Sequence, residues 1–384
     1  MKKDRPLYGL YLFYAVYFIA TGMTTFAPKF YGEIGLTDGR IGLISAVMAL
    51  VALFMQPAWG ALADRARTKR SVIAAALALA GAACFGVVPA SGRFLTLLMV
   101  LTLYNTLCLP AMPVGSAIAI EYTARHGHSF GPVRMMGTVG YQAGILATGF
   151  LLTSSLRGLY PAMGVMLLLA AGTALMLPAV QGHQHRRERV SPVAFLRDRE
   201  LALLMLVVFL GHIGHQFNLS FFSKHLGDLG VSNAVAGLIA TLSVVLEIPF
   251  LLLGDRLMKR LSVWTWLTVG LAVGAVRFML LSVLRAPWAI VLAQSLSIAH
   301  LACFEFFPMV YLGRAVQPAL QASAQSVLQM ISFGVARIVG SLAGGLIADR
   351  TGIPAVYGLC GALMLVACAV FYIPMRRRAQ LERG

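Results

Sequence analysis

Gly60-Ala61-Leu62-Ala63-Asp64-Arg65-Ala66-Arg67-Thr68-Lys69-Arg70 separates two long apolar runs, and Gly254-Asp255-Arg256-Leu257-Met258-Lys259-Arg260 does the same later in the chain. The two Asp-Arg pairs lie 191 residues apart, close to half of the 384 residues. Each preceding run carries a proline at a matching place, Pro57 and Pro249, 192 residues apart. A second correspondence links Arg134 to Val139 (R-M-M-G-T-V) with Arg337 to Leu342 (R-I-V-G-S-L). Two independent matches at about half-chain spacing indicate a duplicated unit, which predicts Arg337 as the repeat counterpart of Arg134. Internal repeats of this kind are typical of secondary transporters, whose sites lie near the bilayer midplane between the repeats.

The rest of the chain agrees with a membrane setting. It is 59% hydrophobic and only 12% charged, with mean hydropathy +0.80. A soluble domain carries about 25% charged residues, so a globular cytosolic enzyme is excluded. About 20 apolar residues cross the hydrocarbon layer as a helix. Twelve such stretches are present: 7–28, 39–62, 71–89, 94–118, 129–153, 158–178, 200–222, 232–254, 262–284, 287–309, 317–347 and 353–374. A polar, Arg-rich segment separates the sixth from the seventh. The predicted architecture is all-α and integral to the membrane: an N-terminal six-helix bundle (1–179), a cytoplasmic central loop (180–199) and a C-terminal six-helix bundle (200–384), pseudo-symmetric to each other. No cleavable signal peptide is expected, because the first apolar run lacks a small-residue cleavage site.

The net charge of +17 follows topology and not nucleic acid. With both termini in the cytoplasm, 21 Lys and Arg residues fall on the cytoplasmic side and 7 on the other, as the positive-inside rule requires. Only Arg134, Arg277 and Arg337 remain within spans. The five cysteines lie in apolar stretches without a C-x-x-C pair and read as buried free thiols.

G-x-x-x-D-R-x-x-x-K-R after span 2 resembles the cytoplasmic loop motif of the major facilitator superfamily, and twelve spans with a basic central loop fit that family over the whole length. The second copy departs from the motif, since its glycine directly precedes Asp255. F-G-P-V-R-M-M-G-T-V-G-Y (Phe130 to Tyr141) is similar to the span-5 signature of the branch holding phenylpropionate permeases and nucleoside-proton symporters, distantly related to lactose permease. V-V-L-E-I (Val244 to Ile248), V-R-F (Val276 to Phe278) and His300 agree with that branch. The resemblance implies the major facilitator fold, transport by alternating access, and a monomer. It also implies a gating role for Gly60, Asp64, Arg65, Asp255 and Arg256. Gly60 would permit close approach of span 2 to a neighbour, and Asp64 at a helix end would pair with an Arg or cap a neighbouring helix. The alternative is a solvated basic loop that only fixes topology.

Ionisable groups inside a span are costly and normally face the bundle interior. Glu247, Arg277, His300 and Glu305 form one candidate cluster. A carboxylate near a buried Arg can exchange a proton as its surroundings change, which is what proton coupling needs; the alternative is a static structural ion pair. The lactose permease group implies a glutamate on span 8, an arginine on span 9 and a His/Glu pair on span 10, three residues apart. Here His300 and Glu305 are five apart, about 140° around a regular helix, so only one is expected to occupy the family position. Pro308 is a source of distortion nearby.

Substrate contacts are expected from Tyr14, Arg134, Gln142, His215, Asn218 and Arg337. Tyr11, Tyr14 and Phe18 share helical spacing and offer an aromatic wall, or alternatively packing and interface anchoring. Arg134 is expected to pair with Glu121, either for a substrate carboxylate or hydroxyls or as a cytoplasmic-side gate. His212 and His215, with Asn218, suggest a cavity-facing helix face. A metal would require a further ligand that the sequence does not place, so no metal and no cofactor is expected. Glycines in spans 5 and 11 allow close packing.

The function these features predict is proton-coupled uptake of a small organic solute, an aromatic carboxylate such as phenylpropionate being favoured slightly. Nucleoside or sugar symport is an alternative. The absence of the G-P-x-x-G-G exporter signature in span 5 favours uptake over a drug or metabolite exporter. A polytopic membrane enzyme and a solute sensor are the alternatives from other classes. No ATP-binding G-x-x-x-x-G-K-[ST] motif occurs. The expected partners are a small-molecule substrate, protons and the lipid bilayer, with no nucleic acid; the expected location is a bacterial inner membrane.

Overall fold

The computed structural model describes residues 5–66, 68–179, 198–245, 262–317 and 320–381, all helix, turn or loop. The helices follow the apolar runs in order: α1 (Pro6–Glu33), α2 (Asp38–Arg65), α3 (Lys69–Phe85, continued by Val87–Ala90), α4 (Phe94–Arg125), α5 (Phe130–Leu151) and α6 (Leu156–Ala174). The series continues with α7 (Arg199–Asp228), α8 (Asn233–Val245), α9 (Val263–Val283), α10 (Pro287–Ala315), α11 (321–351) and α12 (Ile353–Leu381). Among the described residues, nine of these helices are long and apolar enough to cross a membrane.

Several helices outrun the apolar segments that announce them. α7 extends to Asp228 and α12 to Leu381, because a helix that has crossed the hydrocarbon can continue with polar residues in water. Chain punctuation sets the starts. The Asp198 carboxylate caps α7 by accepting from the Glu200 and Leu201 amides, at 2.7 and 3.1 Å. Gly35 and Gly230, at φ 82° and 75°, end α1 and α7 in the left-handed conformation that a side chain resists.

The chain divides into two compact units. The first comprises Met1–Leu36, Leu50–Arg186 and Ser232–Gly237. Its tightest seam is α1 on α5, where a Cβ on Gly140 would strike the Ala15 carbonyl and one on Gly144 the Ile19 carbonyl. Only glycine lets these backbones approach so closely. The start of α8 belongs to this unit: Asn233 donates to the Leu152 carbonyl at 2.5 Å, and its own carbonyl closes on Gly149.

The second unit comprises Thr37–Ala49, Arg187–Val231 and Leu238–Gly384. Here the start of α2 plays the matching part: the Asp38 carbonyl closes on Gly345 of α11, and Gly340 meets the Ile213 carbonyl of α7. Gly144 and Gly149 therefore correspond to Gly340 and Gly345, a spacing of 196 residues. This corrects the register read from R-M-M-G-T-V and R-I-V-G-S-L. By packing, the repeat counterpart of Arg337 is Tyr141 and not Arg134.

Two helices of the second unit are not regular. α10 runs as Pro287–Ser295 and Ser297–His300, then a π segment at Leu301–Phe306, then Phe307–Ala315. α11 contains a π segment at Met330–Val335. Pro308 explains the first. It brings no N–H, and its ring excludes the carbonyl four residues back, which belongs to Phe304 inside the widened turn. The second leaves a displaced carbonyl, and the buried Gln216 of α7 satisfies it: Nε2 donates to Ser332 O at 2.9 Å.

Candidate functional site

In the first unit, Tyr14 is buried on α1 and its hydroxyl shares a 3.1 Å hydrogen bond with Ser116 on α4. The Tyr14 ring stacks on Phe18 with centroids 5.9 Å apart, and Phe130 meets it edge-on at 6.2 Å. Arg134 of α5 is exposed and sets its guanidinium 5.1 Å from the centre of the Phe18 ring. These residues form a small aromatic cluster with a cation over one of its rings. Arg134 does not meet the expected partner, because Glu121 pairs instead with Arg125 at 2.7 Å one turn along α4. Gln142, further along α5, has a buried Oε1 without a hydrogen-bond partner among the described residues. Tyr11 and Tyr8 lie towards the start of α1, with Tyr8 exposed.

The second unit holds a histidine cluster where α7 meets α10. His212 and His300 are 0% and 2% exposed, with ring centroids 4.9 Å apart. His215 is half-buried and stacks on His300, at 4.2 Å and 10° between planes. His212 Nδ1 lies 3.0 Å from the Val208 carbonyl, and so carries the proton and donates. Its Nε2 lone pair then faces a Glu305 carboxylate oxygen 3.9 Å away. Phe304 and Phe333 close the apolar side of His212, at 6.3 and 5.7 Å.

The expectation that His300 and Glu305 point apart is overturned. It assumed a regular helix, whereas the π segment begins directly after His300 and contains Glu305. A π turn closes between residues five apart, so both side chains reach His212. π turns occur frequently at functional sites for this reason: they re-aim side chains without breaking the helix.

Arg277 on α9 is 1% exposed, and its Nε donates to Gln294 Oε1 of α10 at 3.1 Å, with Nη2 on the same oxygen. It lies within electrostatic range of His215 and His300. Gln294 and Gln216 were not among the residues expected from the sequence, because unlike Asn218 neither stands at helical spacing from a charged or histidine residue expected as a substrate contact on the same face. Each shows its part only through its partner on another helix. Asn218 is buried and accepts from the Tyr357 hydroxyl of α12 at 3.1 Å, which ties α7 to α12. Arg337 is half-buried on α11, directly after the π segment.

The gating residues are less fully placed. Gly60, Asp64 and Arg65 lie in the last turns of α2. The close approach expected at Gly60 is not found: no described atom comes within 4 Å of a Cβ built there. Glu247, Asp255 and Arg256 lie outside the described residues.

Helices long and apolar enough to cross a membrane, with glycine seams repeated in two units, define a multi-pass membrane protein built on a repeated helical unit. Residues 7–359 match the family described as MFS_1 like family, and the chain belongs to it. It is 26% identical over 379 residues to maltose permease of Geobacillus stearothermophilus, covering 98% of this chain and 95% of that protein. It is 24% identical over 384 residues to an Escherichia coli (strain K12) protein named "Probable 3-phenylpropionic acid transporter", covering 95% of this chain and 96% of the other. The crystal structure of the nucleoside transporter NupG superposes with a TM-score of 0.82 at 18% identity, over 97% of this chain and 99% of that one.

Proposed function

We propose that the protein is a secondary active transporter that couples the uptake of a small organic solute to protons by alternating access. The observation that carries the coupling is the approach of Glu305 to His212, 3.9 Å apart beside the buried His300. A carboxylate between half-exposed and buried surroundings changes its proton affinity when those surroundings change, and a transporter that alternates between two states supplies that change. Protonation then biases which state is populated, and the solute shares the same bias. Arg277 is the fixed positive charge that keeps the region from holding excess protons; Glu247 is the further carboxylate in this reading. The bundles at 1–179 and 200–384 would rock about the site, and the Asp64 and Asp255 loops would open and close the cytoplasmic side. The protein is read as a monomer in a bacterial inner membrane with both termini in the cytoplasm.

An aromatic carboxylate fits the first unit: the half-buried Phe18 and Phe130 offer ring surface around the buried Tyr14, and the exposed Arg134 beside Phe18 offers a bidentate donor. The similarity to a phenylpropionic acid transporter supports that substrate class. A sugar is the second reading, supported by the similarity to a maltose permease and by the paired Tyr14 and Ser116 hydroxyls beside the rings.

Uptake into proteoliposomes under an imposed pH gradient tests both levels. Labelled phenylpropionate, maltose and a nucleoside are compared, each with Glu305→Gln alongside. Accumulation that follows the gradient and disappears in the variant supports the reading. Counterflow of a substrate with no response to the gradient in the parent protein overturns the coupling.

A further inference from the structure

The cluster on α7 and α10 has a property that proton exchange does not use. One ring nitrogen of His212, one of His300 and one oxygen of Glu305 all lie within 4.8 Å of one another. From these distances and the hydrogen bonding of His212, we propose that His212, His300 and Glu305 form a binding site for a divalent transition-metal ion of the zinc class. The proposal shares Glu305 and His212 with the coupling reading, and its test reads ion binding and not transport, so the two can fail separately.

The tautomer of His212 is the first argument. Its Nδ1–H is committed to the Val208 carbonyl, leaving Nε2 as a bare lone pair aimed at Glu305. A backbone carbonyl on the far nitrogen is the arrangement that orients metal-bound histidines and raises their basicity. Two acceptors facing each other at 3.9 Å are relieved by a proton or a metal cation between them. Second, both ring nitrogens of His300 are buried without a hydrogen-bond partner among the described residues, as is His212 Nε2. Buried polar atoms are nearly always satisfied, so such a group calls for an explanation, and a bound ion is one.

The donor set selects the ion. Two imidazoles and a carboxylate suit zinc, cobalt or nickel better than magnesium or calcium, which prefer all-oxygen shells. Bonds of about 2.1 Å to zinc put tetrahedral ligands about 3.4 Å apart, so atoms that lie within 4.8 Å of one another close by no more than about 1.4 Å on loading. Glu305 can supply most of that movement, with its side chain 24% exposed at the end of two rotatable methylenes. Three protein ligands leave a fourth position open, the pattern of sites with an exchangeable ligand and not of closed structural ones. The second and third donors missing from a reading of α7 alone come from α10, and the π turn is what delivers both.

The test uses the full chain in detergent, without a polyhistidine tag, stripped with EDTA and desalted. ZnCl2 is titrated by calorimetry, and CoCl2 by visible absorption, which reports the coordination of the ion directly. The expected result is one saturable ion per chain with the intense bands of four-coordinate cobalt(II). His300→Ala and Glu305→Gln should each weaken binding at least about tenfold, while His126→Ala, on the exposed end of α4, leaves it unchanged. If His300→Ala does not give monodisperse protein, Glu305→Gln decides, because its side chain is partly exposed. Absence of one-to-one binding in the parent protein overturns the proposal, as does binding of equal strength in Glu305→Gln.

Discussion

Gln216 on α7 donates its side-chain amide to the carbonyl of Ser332, 116 positions later, inside the π turn of α11. The bond is fully buried and explains how an irregular turn persists in a helix surrounded by apolar side chains. Removing it by Gln216→Leu strands a buried carbonyl, which costs about 1–3 kcal/mol. A lowered unfolding temperature in detergent is expected, together with reduced transport, because the same turn holds Phe333 against His212. An unchanged melting temperature would mean that the π turn needs no support from α7.

Arg277→Lys separates charge from geometry. Lysine keeps the positive charge but cannot reproduce the two donors that hold Gln294 Oε1. Uptake is expected to fall about tenfold, roughly 1.4 kcal/mol in transition-state terms, with Arg277→Gln lower still. Initial rates of uptake at saturating and limiting solute decide the matter; parent-like rates in Arg277→Lys would show that charge alone suffices.

The glycine seams give a stability contrast. Gly140→Ala drives a methyl into the Ala15 carbonyl, and overpacking of this kind costs about 1–3 kcal/mol. Gly60→Ala meets no described atom and improves helix propensity by about 1 kcal/mol, so it is expected to raise the melting temperature slightly. A loss of transport in Gly60→Ala without loss of stability would locate the close approach of this motif in another state of the cycle. If Gly140→Ala melts with the parent protein, the α1–α5 seam is looser than described.

Lys224 sits between Asp38 and Asp228, at 3.0 and 2.9 Å, and joins the start of α2 to the end of α7. Lys224→Met leaves Asp38 in a mostly buried position without this cation. The expected loss is about 1 kcal/mol, discounted for the exposed Asp228 limb. Thermal unfolding at low and high salt measures it: the difference between parent and variant should shrink as salt rises.

The apolar runs and their flanking charges made the helices legible, because burial in lipid demands length and composition of any sequence that crosses it. The candidate site was legible only by residue type. Arg277, His212, His215, His300 and Glu305 stood out as costly groups in apolar helices, and the second unit brings the three histidines and Glu305 together. Their mutual placement was not legible, since it depends on a π turn whose local signature is a single proline, Pro308. The pairing of Glu121 with Arg125 was missed for the opposite reason: a contact one turn away on the same helix was passed over for a distant one. Register between the two copies also misled. R-x-x-G recurs easily in glycine-rich helices, whereas the carbonyls that close on Gly144 and Gly340 identify equivalent positions directly.

Among the described residues the π turns occur only in the second unit, in α10 and α11. Each accommodates an additional residue without ending its helix, which is how a small insertion survives in a lineage that cannot tolerate a broken span. One copy of an ancestral duplication could thus gain a polar centre while its sibling kept an aromatic one, with no change to the seams that both inherited. Relatives with the same chemistry would then be recognised less by their histidines than by an extra residue in the tenth helix, a difference that an alignment records as a one-position gap.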